Sequence, residues 1–263
     1  MNLTTLSLIK RLASASACLL IVASVASAAE WGTLKGKFVL DTAAPEPLAL
    51  KNTDKDGCNK FPLVDEGIVA GKNNELANVF VYLRTKAKEV APSYAEQKGS
   101  EVILDNKNCR FEPHCVIVTT DQKLVVTNSD PFAHNSNITP FKPANKPENP
   151  LIPAGGKFEK VFKAGEALPI NVSCNIHPWM SAKMLIRDDP YAAISAADGT
   201  FEIVDLPAGK ELEFQFWQES GGNVAAASFK GGKSDTKGRF KLKIKAGDND
   251  LGEIKVPLKS IKK

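Results

Sequence analysis

Short apolar or β-branched runs, each closed by Gly, Pro, Asn or Asp, follow one another along most of this chain. Gly32–Leu40, Ala77–Leu83, Val102–Leu104, Cys115–Thr120, Lys123–Thr127, Phe158–Phe162, Pro169–Cys174 and Ala182–Ile186 all have strand length. Nowhere does a helical period hold for about twelve residues, so the chain must bury its apolar surface with sheets, and an all-β sandwich is predicted. Between Pro45 and Asn74 the sequence is polar and irregular, an excursion over a sheet edge. The proline-rich stretch Asn135–Asn149 reads as a loop, and Ala91–Gly99 has room for one helical turn.

The texture repeats on a smaller scale after Ile186. An Asp198-Gly199 pair between alternating runs signals a hairpin. Arg239–Lys245 places Phe240, Leu242 and Ile244 on one face and lysines on the other. That pattern is a half-buried strand whose lysines stay in water and discourage edge pairing. A second, smaller sandwich is therefore expected over 188–263, after a larger one over 30–187.

The N-terminus is of another kind. Lys10 and Arg11 precede an apolar run, and Ala26-Ser27-Ala28 follows it. This is the pattern of a secretory leader, residues 1–29, and predicts export to the periplasm or medium. A lipoprotein reading of Cys18 fits less well, because the apolar run lies mostly after that cysteine. The run is too short to span a bilayer, and no later segment reads as transmembrane. Without the leader the formal charge of +4 falls to about +2, too mild to suggest nucleic-acid binding. Four cysteines remain, Cys58, Cys109, Cys115 and Cys174. In an exported protein their parity suggests two disulfides, unless spacing argues for a metal.

Spacing does argue for a metal. In "CNIHPWM", Cys174, His177 and Met180 share a tight loop between the strands "INVSC" and "AKMLI". His134 follows the apolar run in "KLVVTNSDPFAHN", where a neighbouring strand reaches the same rim. A thiolate, two imidazoles and a weak thioether are the His2Cys plus axial Met set of blue copper. Met184 lies a strand away from the loop and is a poorer axial candidate.

Over about Val102 to Ile186, "FEPHCVIVTTDQKLVVTNSDPFAHN" and "CNIHPWM" resemble the small type 1 copper proteins, the cupredoxins of the plastocyanin and amicyanin kind. The resemblance implies a Greek-key sandwich holding one copper on His134, Cys174, His177 and Met180. It gives Asn135 the task of bracing the cysteine loop by hydrogen bonding. Trp179, where amicyanin has Phe, is read either as packing or as part of an apolar collar where a partner docks.

If Cys174 binds copper, three cysteines remain. Cys109 and Cys115 stand about 20 Å apart in extended chain, against the roughly 7 Å a disulfide allows. Cys58 with Cys109 is the expected pair, pinning the polar excursion and leaving Cys115 a buried thiol. The rival scheme adds Cys115–Cys174 and would abolish the site. His114 could serve a second metal but has no free histidine beside it, so a structural or surface role is expected.

Three histidines are too few for a multicopper oxidase or a copper nitrite reductase, and the loop has no second cysteine for a binuclear centre. What the resemblance implies is a monomeric one-electron carrier rather than an enzyme. Its partner would be a redox protein such as a c-type cytochrome or a dehydrogenase. Two other classes stay open: copper buffering or delivery, and a metal-free adhesive or structural sandwich pair. Asp198–Gly209, "DGTFEIVDLPAG", resembles the carboxypeptidase regulatory-like, transthyretin-like sandwich and implies an accessory module. Proteins of that arrangement often carry His where this chain has Asp189 and Gln218.

Overall fold

Alternating burial along the middle of the chain builds a sandwich from two four-stranded sheets in the computed structural model, which describes residues 31–51 and 57–262. One sheet runs in the order Lys157–Lys160, Lys123–Asn128, Glu101–Lys107, Arg110–Glu112. The other runs Cys115–Thr119, Ser181–Arg187, Ile170–Ser173, Asn137–Ile138. Glu101–Lys107 lies parallel to Lys123–Asn128, and Ser181–Arg187 parallel to Cys115–Thr119. Parallel neighbours cannot be joined by hairpins, so the chain crosses between the sheets. Leu104, Val116, Val126, Ile170, Val172 and Ile186 fill the space between them. Met184 is buried there too, opposite Ile170 on the neighbouring strand. The leader expected over residues 1–29 lies outside the described residues.

The second sandwich takes strands from both ends of the chain, and this differs from the expected division at 187. Trp31–Leu40 lies between Thr200–Pro207 and Gly247–Val256, antiparallel to the first and parallel to the second. Phe80–Leu83 lies between Ala192–Ile194 and Glu211–Gln218 in the facing sheet. Residues 31–40 and 80–83 therefore belong with the C-terminal strands, and the first sandwich begins near Glu101. All four residues of Phe80–Leu83 are buried. Val81 and Leu83 face the second core, while Phe80 and Tyr82 meet Cys115 and Leu185 of the first sandwich. A continuous apolar run marks a strand covered on both faces, but not what covers it. Burial between the sandwiches pushes the Tyr82 phenol up to about 12, against the opposing charges of Arg84 and Arg187.

Asp198-Gly199 is a turn but does not close a hairpin, since Ala192–Ile194 and Thr200–Pro207 lie in different sheets. Gly199 has φ +80°, and a Cβ there would stand 2.3 Å from the Phe38 carbonyl oxygen. The residue thus meets two demands only glycine satisfies, left-handed backbone and close approach to the N-terminal strand. Pro92–Gln97 is a short 3-10 helix where a helical turn was expected. The lysines of Arg239–Lys243 are exposed and Phe240 is buried.

Candidate metal centre

Ile170–Ser173 and Ser181–Arg187 form an antiparallel pair with Ser173 opposite Ser181, and residues 174–180 make the connecting loop. Two backbone bonds shape it: Cys174 N–H donates to Met180 O at 3.2 Å, and Met180 N–H to His177 O at 2.9 Å. His134 and Asn135 stand on a short strand paired with Leu151–Ile152. The Asn135 side chain joins the two pieces. Its Oδ1 accepts from the backbone N–H of Asn175 at 2.8 Å and of Ile176 at 3.2 Å, and lies 3.4 Å from Cys174 Sγ. Its Nδ2 donates to Asn149 Oδ1. Two backbone N–H groups of the loop are thereby paired across to the His134 strand.

Three ligand-type atoms converge. His134 Nδ1 and His177 Nδ1 are 2.9 Å apart, and Cys174 Sγ lies 4.0 Å from the first and 3.8 Å from the second. A point about 2.1 Å from all three exists in their plane, within the metal–N and metal–S range of roughly 2.0–2.3 Å. His134, Cys174 and His177 are the group of metal-binding side chains found together among the described residues, and all are buried. Met180, at the end of the loop, is buried in the same core cluster as Cys174. The donor set of one soft sulfur and two imidazoles fits copper.

Several features of the site were not foreseen from the sequence. Asp130 Oδ2 lies 2.8 Å from His134 Nε2, an arrangement that leaves Nδ1 turned toward the cluster. Phe132 packs its ring 5.3 Å from His134 and 5.8 Å from His177. His177 is only 2% exposed. Trp179 lies tilted against His177, ring centroids 5.3 Å apart, and turns inward, donating its indole N–H to the Cys109 carbonyl at 3.3 Å. It packs on the Cys58–Cys109 disulfide together with Leu50, Phe61 and Leu63. Asp130 and Phe132 both stand in "NSDPFAHN", so the stretch that announced His134 also carried its supports. Ile176, 47% exposed, and Pro178 form the outer surface of the loop.

Cys115 and Cys174 are both free thiols, buried in different clusters, so the rival Cys115–Cys174 bridge does not form. His114 lies away from the metal cluster. Its Nε2 makes a short bond to Glu219, and its Nδ1 lies 3.6 Å from Glu66. Glu219 also meets Lys183 at 3.2 Å, and Glu66 meets Arg110 at 3.1 Å. A polar cavity of about 140 Å³ is lined by His114, Glu66 and Glu219 and also by Met180 and Trp179.

No protein-family model and no curated protein matches this chain. Among solved structures it is similar to amicyanin in a Cu(I) form, at 15% identity and TM-score 0.29, over 41% of this chain and 98% of that one. It is similar to a purple cupredoxin from Nitrosopumilus maritimus at 22% identity and TM-score 0.26, over 33% and 98%. It is also similar to a Cu-containing nitrite reductase from Thermus scotoductus SA-01, at 18% identity and TM-score 0.29, over 40% and 24%. The chain thus spans about a quarter of that reductase, and each likeness covers less than half of the chain.

Proposed function

We propose that this chain is an exported, mononuclear type 1 copper protein that carries single electrons between redox proteins. The convergence of His134 Nδ1, His177 Nδ1 and Cys174 Sγ within 4.0 Å in a buried pocket is the observation that supports this most. Bound there, copper would supply a one-electron couple whose two oxidation states tolerate one thiolate–imidazole geometry. Cys174 provides the thiolate, His134 and His177 the imidazoles, and Met180 the weak axial sulfur. Asn135 holds the loop in register with the His134 strand, while Phe132 and Trp179 keep water from the imidazole edges.

Electron transfer fits this site better than catalysis. The ligand side chains are buried, and the sequence's third histidine is engaged with Glu219 rather than with the cluster. The exposed loop surface at Ile176 and Pro178 is the face we assign to a partner, a c-type cytochrome or a dehydrogenase. Export is supported by the leader pattern and by a disulfide, which persists in oxidising compartments. Among the described residues no helix is long and apolar enough to cross a membrane. The C-terminal sandwich acts in this reading as an accessory, protein-contacting module.

Adding Cu(II) to the purified mature protein tests the proposal. An intense visible thiolate-to-copper band, lost in Cys174→Ala, is expected. A protein that stays colourless with Cu(II) ends the reading.

A further inference from the structure

The peptide of Cys109 is held on both sides by parts of the metal centre. Its N–H donates to Asp130 Oδ2 at 2.9 Å, and the preceding Asn108 N–H donates to Asp130 Oδ1 at 2.7 Å. The same Oδ2 lies 2.8 Å from His134 Nε2. On its other side the Cys109 carbonyl accepts from the Trp179 indole at 3.3 Å. One turn therefore touches both sources of ligands, the His134 strand through Asp130 and the 174–180 loop through Trp179.

That turn is not one the backbone adopts freely. Asn108 and Cys109 both have positive φ, 53° and 58°. Asn tolerates the left-handed region, whereas Cys has no local hydrogen bond of its own to offset the strain. Consecutive N–H groups presented this way form a concavity that suits a carboxylate, which is where Asp130 sits. The disulfide to Cys58 ties this strained residue down, and both sulfurs are fully buried under Leu63, Phe61 and Trp179.

We propose that the Cys58–Cys109 disulfide is a positioning device for the copper ligands, acting through Asp130 and Trp179. It keeps the Asn108–Cys109 turn in the conformation that aims Asp130 at His134 Nε2, so that His134 offers Nδ1 to the metal. It also anchors Trp179, and with it the ligand loop. Asp130 and the disulfide are positioning groups, since neither touches the metal. The inference rests on the copper reading for its purpose, but the alignment of His134 stands without the metal.

A bridge across a separation of 51 residues also restrains the unfolded chain, so lost stability alone does not separate positioning from stapling. The test compares wild type, Cys58→Ser/Cys109→Ser, Asp130→Asn and the triple variant, each at a temperature where circular dichroism shows it folded. In the copper-loaded proteins the readouts are the charge-transfer band, the electron paramagnetic resonance of Cu(II) and the rate of copper loss to a chelator. In the metal-free proteins the readout is the His134 tautomer, from long-range proton–nitrogen correlation.

The double variant is expected to shift the band, lose copper about tenfold faster or more, and release His134 from the Nε2–H tautomer. Asp130→Asn should do the same with the disulfide intact, and the triple variant should do little more than either, as coupled positions do. A double variant that melts earlier but keeps the wild-type band, release rate and tautomer overturns the proposal. If the double variant does not fold, Asp130→Asn decides, and an unchanged spectrum and tautomer there overturn it too. Should wild type show no copper band, the copper reading fails, and the metal-free tautomer still decides the positioning claim.

Discussion

Cys115 and Cys174 carry the same thiol in unlike surroundings. Cys174 opens the 174–180 loop beside two imidazoles, whereas Cys115 faces Phe80, Tyr82 and Leu185 between the sandwiches. Burial pushes the Cys115 thiol up, and the nearby Glu219 charge adds to this while Lys183 opposes it. Thiolate is the reactive form, so Cys115 should be inert in the folded protein. Unfolding the metal-free mature protein without reductant should expose two titratable thiols, since Cys58 and Cys109 are bridged. In the native protein a thiol reagent should leave Cys115 unmodified, as peptide mapping would show. Cys115→Ala should cost about 1 kcal/mol of stability and leave the spectrum recorded with Cu(II) the same as that of wild type. Labelling of Cys115 at the native rate of an exposed thiol would refute this assignment.

Where strands end, charge decides how the pieces meet. Glu219 follows Glu211–Gln218 in the second sandwich, yet its partners are His114 and Lys183 of the first. Glu66 approaches His114 from the excursion and is itself held by Arg110. Burial alone would raise the Glu219 carboxyl, but the hydrogen bond and charge of His114, with the charge of Lys183, hold it below its ordinary value. A folded-state pKa below the unfolded one means stabilisation that is complete above the ordinary glutamate pKa of about 4.3 and lost as pH falls through the folded value. Glu219→Gln should therefore cost about 2 kcal/mol at pH 7, and the gap from wild type should close as the pH drops below that ordinary value. Denaturant titrations at pH 7 and in acid measure both ends of this prediction. A gap that stays constant with pH would show that Glu219 acts through shape rather than charge.

On the scale of the whole molecule, local features were legible in the sequence and remote pairings were not. One hairpin loop carries Cys174 and His177, and "FAHN" follows an apolar strand, which is why the sequence could place these two beside His134, as the structure does. Asp130 stood in the same stretch, but the turn that holds it lies 21 residues earlier, and folding alone brings the two together. Trp31–Leu40 shows a strand's alternation without naming its neighbours, which come from residues 200–207 and 247–256. The consequence can be tested with fragments. A chain of 188–263 lacks Trp31–Leu40 and Phe80–Leu83, a central strand from each sheet of the second sandwich. It would expose Phe201 and Phe216, whose rings pack on Phe38, in the core they share with Val81 and Phe214. Each lost apolar side chain of this size removes roughly 1.5–3 kcal/mol, and a domain's whole stability is about 5–15 kcal/mol. The fragment should give a collapsed amide spectrum and no cooperative melt, while a chain beginning at Trp31 gives both a dispersed spectrum and a melt. Phe38→Ala supplies the graded version, because Phe38 is fully buried with ring centroids 5.3 Å from Phe201 and 4.9 Å from Phe216. It should cost about 3–5 kcal/mol, and its effect should fall on the melt of the second sandwich while the spectrum recorded with Cu(II) stays that of wild type. A 188–263 fragment that folds cooperatively by itself would show that the first strand is an addition to that sandwich and not part of its core.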